Sequence, residues 1–189
     1  IVSERLETLY RMTSGTKGLD VVIASAVTAA QRMAPVAYVG ANTFFFRPGD
    51  TLSVEGLRSN LAAAGYAGVK QVLAAGEFAV RGSIIDVFPM GSDRPFRLDL
   101  FDDEIESIRW FDVETQRSME AVNEIRLLPG HEFPVTPEAV TGFRQRWRTR
   151  FAGDPGKSLV YRDIGNGVLP PGIEYYLPLF FEQTATLAD

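Results

Sequence analysis

Few side chains in this chain could do chemistry, and their types restrict what that chemistry would be. There is no cysteine and a single histidine, His131, so disulfides and thiolate zinc sites are excluded and a metal would have to rest on carboxylates. The densest carboxylate group is Asp102, Asp103, Glu104 and Glu106, suited by type to Mg²⁺ or Ca²⁺. Asp-Asp is also turn-forming, and charges at a hairpin tip are ordinarily just solvated. Gly156-Lys157-Ser158 ends as a phosphate-binding loop does. That motif needs a glycine five residues before Gly156, where Phe151 stands, and a preceding strand where this chain reads as helix. The polar stretch at residues 13–18 also lacks the spacing. His131, in the run LLPGHEF, has the look of a strand exit and brings no nucleophile with it. No catalytic residue, metal or cofactor is assigned.

Two groupings remain. Arg144, Arg146, Arg148 and Arg150 flank Trp147, a basic and aromatic mixture of the kind that contacts phosphate backbones. At helical spacing they spread to either side of a buried stripe, which favours a solvated face whose arginine stems cover the edge of the core. The other is FRLDLF at residues 96–101. On a strand, Phe96, Leu98 and Leu100 point to one side, and Arg97, Asp99 and Phe101 to the other. The first set is a core face. The second places an aromatic ring beside an arginine, the composition of binding hot spots. Pattern alone leaves open whether a helix covers that second face. In the preceding strand Arg81 precedes Gly82, read as a bulge or close-approach position that aims the arginine at the same face.

These residues need a scaffold. At 189 residues, 46% hydrophobic and 23% charged, the composition is that of a soluble globular protein with enough apolar side chains for a sizeable core. No apolar run reaches the roughly 18 to 20 residues of a membrane span, so the expectation is a cytoplasmic protein with no membrane partner. A net charge of −5 argues against a general nucleic-acid binder, whose affinity comes from neutralising phosphates. The charge is uneven. Residues 76–112 carry nine acidic and four basic side chains, and residues 136–162 carry two and six; such asymmetry often marks contact surfaces.

The first residue is Ile, and the opening reads as apolar and strand-like, as in an excised piece. Residues 20–25 (DVVIAS) are expected as a buried strand, residues 26–33 as a short helix stopped by Pro35, and residues 36–39 as another strand. Together they suggest part of an α/β unit. Residues 42–46 read as a strand and Pro48-Gly49-Asp50 as a turn. Ser53 caps a helix that ends at Gly65 and buries Leu57, Leu61 and Ala64. Short β-rich runs follow at residues 78–88, 96–101, 105–111 and 122–128, with connections short enough for an antiparallel meander. Thr136-Pro137-Glu138 opens a helix whose inward stripe is Val140, Phe143, Trp147 and Phe151. The aromatic tail at residues 175–181 is expected to pack away from the meander.

The blocks GEFAVRGSIIDVFP, RLDLFDDEIESIR, FDVETQRS and LLPGHEFP, in that order, closely resemble the UvrB-homology module near the N-terminus of the bacterial transcription-repair coupling factors, and the resemblance runs through most of the chain. UvrB itself is similar over the central blocks only. The resemblance implies an α+β fold, an antiparallel β-meander with packed helices, inserted at about residues 41–161 into remnants of a helicase-like α/β domain at 1–40 and 162–189. It implies a non-catalytic surface that recruits UvrA for nucleotide excision repair. Contacts with RNA polymerase and DNA, and the ATP-driven motor, would lie outside this segment, and other domains of the parent protein would be partners. The family positions implicated in the UvrA contact fall on Arg81, Arg97 and Phe101, with Asp99 as a fourth, where the arginines would pair with partner carboxylates around an aromatic anchor. UvrB carries an arginine two residues before the Arg81 position, where this chain has Ala79. The alternatives are a DNA-binding module built on the basic helix at 144–150, and an intramolecular clasp in which the same face is masked.

Overall fold

Alternation along a few short strands decides this architecture. The computed structural model describes residues 2–13 and 21–187. In chain order the elements are α1 (Val2–Thr13), α2 (Ala26–Ala29), α3 (Val36–Ala41), β1 (Phe44–Phe46), α4 (Val54–Ala63), β2 (Ala67–Gly68), β3 (Glu77–Arg81), β4 (Ile84–Val87), β5 (Phe96–Phe101), β6 (Glu104–Phe111), β7 (Ser118–Ala121), β8 (Ile125–Leu127), α5 (Pro137–Arg150) and α6 (Leu159–Gly165). Short 3-10 segments occupy Pro155–Lys157 and Ile173–Leu179. A six-stranded sheet runs β2-β3-β4-β5-β6-β7, and β1 pairs with β8 in a second, two-stranded sheet. From β3 to β7 each strand is antiparallel to the next, while β2 lies parallel to β3. The fold is α+β, with the expected meander at its centre.

One face of the meander is the core. Phe78, Ile85, Val87, Leu98, Leu100, Ile105 and Ile108 point to it and meet Leu57 and Leu61 of α4 and Leu6 of α1. The α4 helix forms as its local chemistry dictates. The Ser53 hydroxyl accepts from the Gly56 amide, and Gly65 ends the helix at a φ of +90°, where a side chain is strained. A second core, built on Phe143 and Trp147 of α5, takes in Phe133, Tyr161, Ile164, Ile173 and Phe180, so the aromatic tail packs away from the meander. Thr136 caps α5 by accepting from the Ala139 amide, with Pro137 at its first position. Phe151 terminates the expected stripe half-exposed, its ring against Trp147.

The N-terminal expectations need correcting. The opening is a helix, α1, because Leu6 and Tyr10 fall at helical spacing and both pack on the main core. Residues 21–25 form no strand, and Val21 and Ile23 are 73% and 94% exposed; a β-branched run needs a neighbouring strand to pair with, and none lies beside it among the described residues. Asp20, the first residue of that expected strand, lies outside them. The helix expected at 26–33 closes after one turn, at Ala29. Residues 36–39 belong to the helix α3, which buries Val39 and ends where the Asn42 side chain donates to the Tyr38 carbonyl.

Three strand boundaries also move. The run at 78–88 is a hairpin, with Gly82 in its turn at a φ of +61° and open space where a Cβ would stand, so Gly82 is neither a bulge nor a close approach. The bulge lies instead where the β5–β6 register shifts between Asp99 and Leu100. A strand outside the expected runs, β7, forms at Ser118–Ala121, and the strand expected at 122–128 shortens to β8.

The two faces of β5 predict opposite responses to truncation. Leu98→Ala should cost about 2–5 kcal/mol in a denaturant titration, as for other buried large-to-small changes. Phe101→Ala, at an exposed ring, should stay within about 0.5 kcal/mol. Gly65→Ala should cost about 1–3 kcal/mol by the same measurement, from the left-handed backbone and from a Cβ that would lie 2.5 Å from the His131 ring.

Candidate functional site

The outer face of the meander holds the four residues expected to meet a partner. Strand register builds it in rows. Ala79, Asp86, Arg97 and Arg109 lie across β3, β4, β5 and β6 in one row, and Arg81, Ile84, Asp99 and Ser107 in the next. Phe101 follows on the same side of β5, opposite Glu104 beside the Asp102-Asp103 turn. Neither helix that could have covered this face does so, because α4 packs on the inner side and α5 belongs to the separate aromatic core. Only one end is closed, by Val72, Ala79 and Phe111. At the open end Phe101 is 71% exposed and Arg81 is also exposed.

The chemical centre of the face is a residue that strand alternation did not single out, Asp86. It is 1% exposed, and a carboxylate this deep must be paired. The Arg97 guanidinium donates from Nε to Oδ1 at 2.7 Å and from Nη2 to Oδ2 at 3.0 Å, the two-pronged fork that suits arginine to carboxylates. Arg81 donates from Nη2 to the same Oδ2. Arg97 Nη1 also donates to the Gln116 carbonyl at 3.2 Å and the Ser118 hydroxyl at 3.1 Å, and the guanidinium stacks 4.9 Å above the Phe111 ring. The hydrogen bond to Asp86 is the main cause holding Arg97 above its ordinary pKa.

The four expected residues therefore share a face but not an environment. Arg97 keeps a side-chain exposure of 13%, against 47% for Arg81. Asp99 accepts from the Ser107 hydroxyl at 3.1 Å. Within the chain, Asp86 already serves as a carboxylate for Arg97. One signal for Asp86 lay in the run Ile84-Ile85-Asp86-Val87, an acid in the middle of an apolar strand. Ala79 is buried with Val72 and Phe111.

The other candidates do not converge. Arg144 and Arg148 stack on the Tyr161 ring at 4.8 and 5.8 Å, and Arg146 donates to the Leu179 carbonyl, so the basic residues of α5 point in several directions. Asp102 and Asp103 sit exposed in the tight turn between β5 and β6, with Asp102 at a φ of +50°. Among the described residues no cluster of His, Asp and Glu could hold a metal ion, and no helix is long and apolar enough to cross a membrane.

Residues 44–133, which contain the whole outer face, match the family described as the UvrB interaction domain. The full chain is 46% identical over 192 residues to a transcription-repair-coupling factor of Haemophilus influenzae, and 97% of it is 44% identical to that of Escherichia coli. A Bacillus subtilis protein of the same name is 29% identical over 99% of the chain. The chain spans about a sixth of the length of these curated relatives, 16–17%. From β1 to Phe133 it belongs to the UvrB interaction domain family, in a segment that corresponds to the UvrB-homology module of the transcription-repair coupling factor, Mfd.

Proposed function

We propose that the chain recruits UvrA through the open end of its outer β-face, linking a stalled polymerase to nucleotide excision repair. The carrying observation is the exposure of both Phe101 and Arg81 at one end of a face that neither α4 nor α5 covers. A large aromatic left in water on a strand whose other side packs in the core through Leu98 and Leu100 does not serve that core, and aromatic and arginine side chains dominate interface hot spots. The surroundings of Arg81 sharpen the fit. Asp99, Asp102, Asp103 and Glu104 lie on or beside the same edge of the sheet, so a partner must bring a carboxylate to Arg81 and an apolar recess to Phe101 while keeping other negative charge away. Like-charge contacts of this kind exclude wrong partners. RNA polymerase, DNA and the motor activity belong, in this reading, to parts of the parent protein beyond this segment.

Titration of purified UvrA with the 189-residue chain tests the reading. Phe101→Ala should weaken binding by about 1–3 kcal/mol, as a truncated hot spot does. Arg81→Ala should weaken it as well and flatten its dependence on salt. Unchanged affinity in both variants, with folding intact by circular dichroism, would place the contact elsewhere.

A further inference from the structure

We propose that Asp86 is a positioning residue for this face: it takes up Arg97 completely and tethers Arg81 at the surface, so that Arg81 and Phe101 touch the partner while Arg97 acts only through the carboxylate. This rests on the reading that the face binds UvrA, and it changes the assignment of residues within that reading.

Donor accounting carries the case. A guanidinium has five N–H donors, and Arg97 commits four of them, with Nε and Nη2 on Asp86 and Nη1 on Gln116 and Ser118. Its Cζ lies 4.9 Å from the centre of the Phe111 ring, and little of its surface reaches solvent. A partner would have to dismantle this set to pair with it. Arg81 makes one such bond among the described residues, to Asp86, and keeps nearly half of its side chain exposed. Asp86 takes the fork of Arg97 and a single bond from Arg81, and Asp99 also acts on Arg97, so exposure leaves Arg81 as the cation open to a partner. An arginine tethered at one nitrogen loses less freedom on meeting a partner than a free one, which favours binding. Asp86 reaches Arg81 diagonally across β3 and β4, since the direct partner of Arg81 is Ile84, and such diagonal neighbours lie within reach of long side chains.

A binding cycle with an order measurement separates this role from general support of the fold. UvrA is titrated with the full chain as parent, Arg81→Ala, Asp86→Asn and the double variant. In parallel, side-chain ¹⁵N relaxation reads the order of the Arg81 Nε–H without any partner. Asp86→Asn should weaken binding roughly tenfold when Arg81 is present and not at all in the Arg81→Ala background, because the effect passes through that side chain. The Arg81 Nε–H should become mobile in Asp86→Asn while the backbone amides of β3 to β6 keep their protection from exchange. Should Asp86→Asn fail to fold, Asp86→Asn with Arg97→Met removes the buried pair together and is read in the same two ways. The same loss of affinity in both backgrounds, or an Arg81 side chain equally ordered with and without Asp86, overturns the proposal. A parent chain that shows no UvrA binding while Arg81 is released on losing Asp86 removes the proposed function and leaves the positioning role standing.

Discussion

A charge in the middle of a strand must be neutralised where it stands, and the outer face of this sheet is organised around that requirement. Asp86 is buried with hydrophobic neighbours on both sides in sequence, Ile85 and Val87. Leaving such a carboxylate unpaired costs several kcal/mol. The antiparallel register brings Arg97 directly opposite it, and the fork of the guanidinium satisfies both oxygens. Everything else on the face follows from that pair. The β6–β7 turn supplies the Gln116 carbonyl with Gln116 at a φ of +58°, Phe111 lies flat beneath the cation, and Val72 and Ala79 close the far end.

The inner face follows a simpler constraint. Leu98 and Leu100 need cover, and α4 and α1 provide it. Because both helices go to that side, neither covers the outer one, where Phe101 stands exposed. The same division explains how β5 serves stability and recognition together. Consecutive residues answer to different sides of the sheet, so a change at Phe101 need not be felt at Leu98 or Leu100. The bulge between Asp99 and Leu100 shifts the β6 register there and lets Phe101 end its strand at the open rim.

How much of this could be read from the residues depends on how local the cause is. The Ser53 and Thr136 caps, the Gly65 stop and the alternation of FRLDLF are decided within a few residues, and each took the expected form. In the N-terminal stretch Val21, Val22 and Ile23 have the β-branched character of a strand, but a strand is completed by a neighbour, and composition does not contain the neighbour. Residues 36–39 failed for a related reason, since four apolar residues fit a short strand and a short helix equally well until packing chooses. Asp86 was hidden differently. Its partner sits 11 residues away, and only the β4–β5 register reveals that they meet. The pattern therefore showed where Arg97 and Phe101 point without showing that Arg97 was already engaged.

That engagement bears on what an arginine at an interface does. Two arginines on one face suggest two contacts, yet here one is part of the wall and the other part of the surface. The difference lies in geometry, because Arg97 stands directly across from the carboxylate and Arg81 only diagonally. The direct position allows a fork and a ring to stack on; the diagonal one allows a single bond and leaves the remaining donors to water. Burial of Ala79 fits the same picture. An arginine there would enter the row of Asp86 and Arg97 from the β3 side and compete for an acceptor that already takes three hydrogen bonds, displacing Val72 and Phe111 as it did so. A small side chain at residue 79 is thus part of what reserves Asp86 for Arg97 and leaves Arg81 as the cation held at the rim.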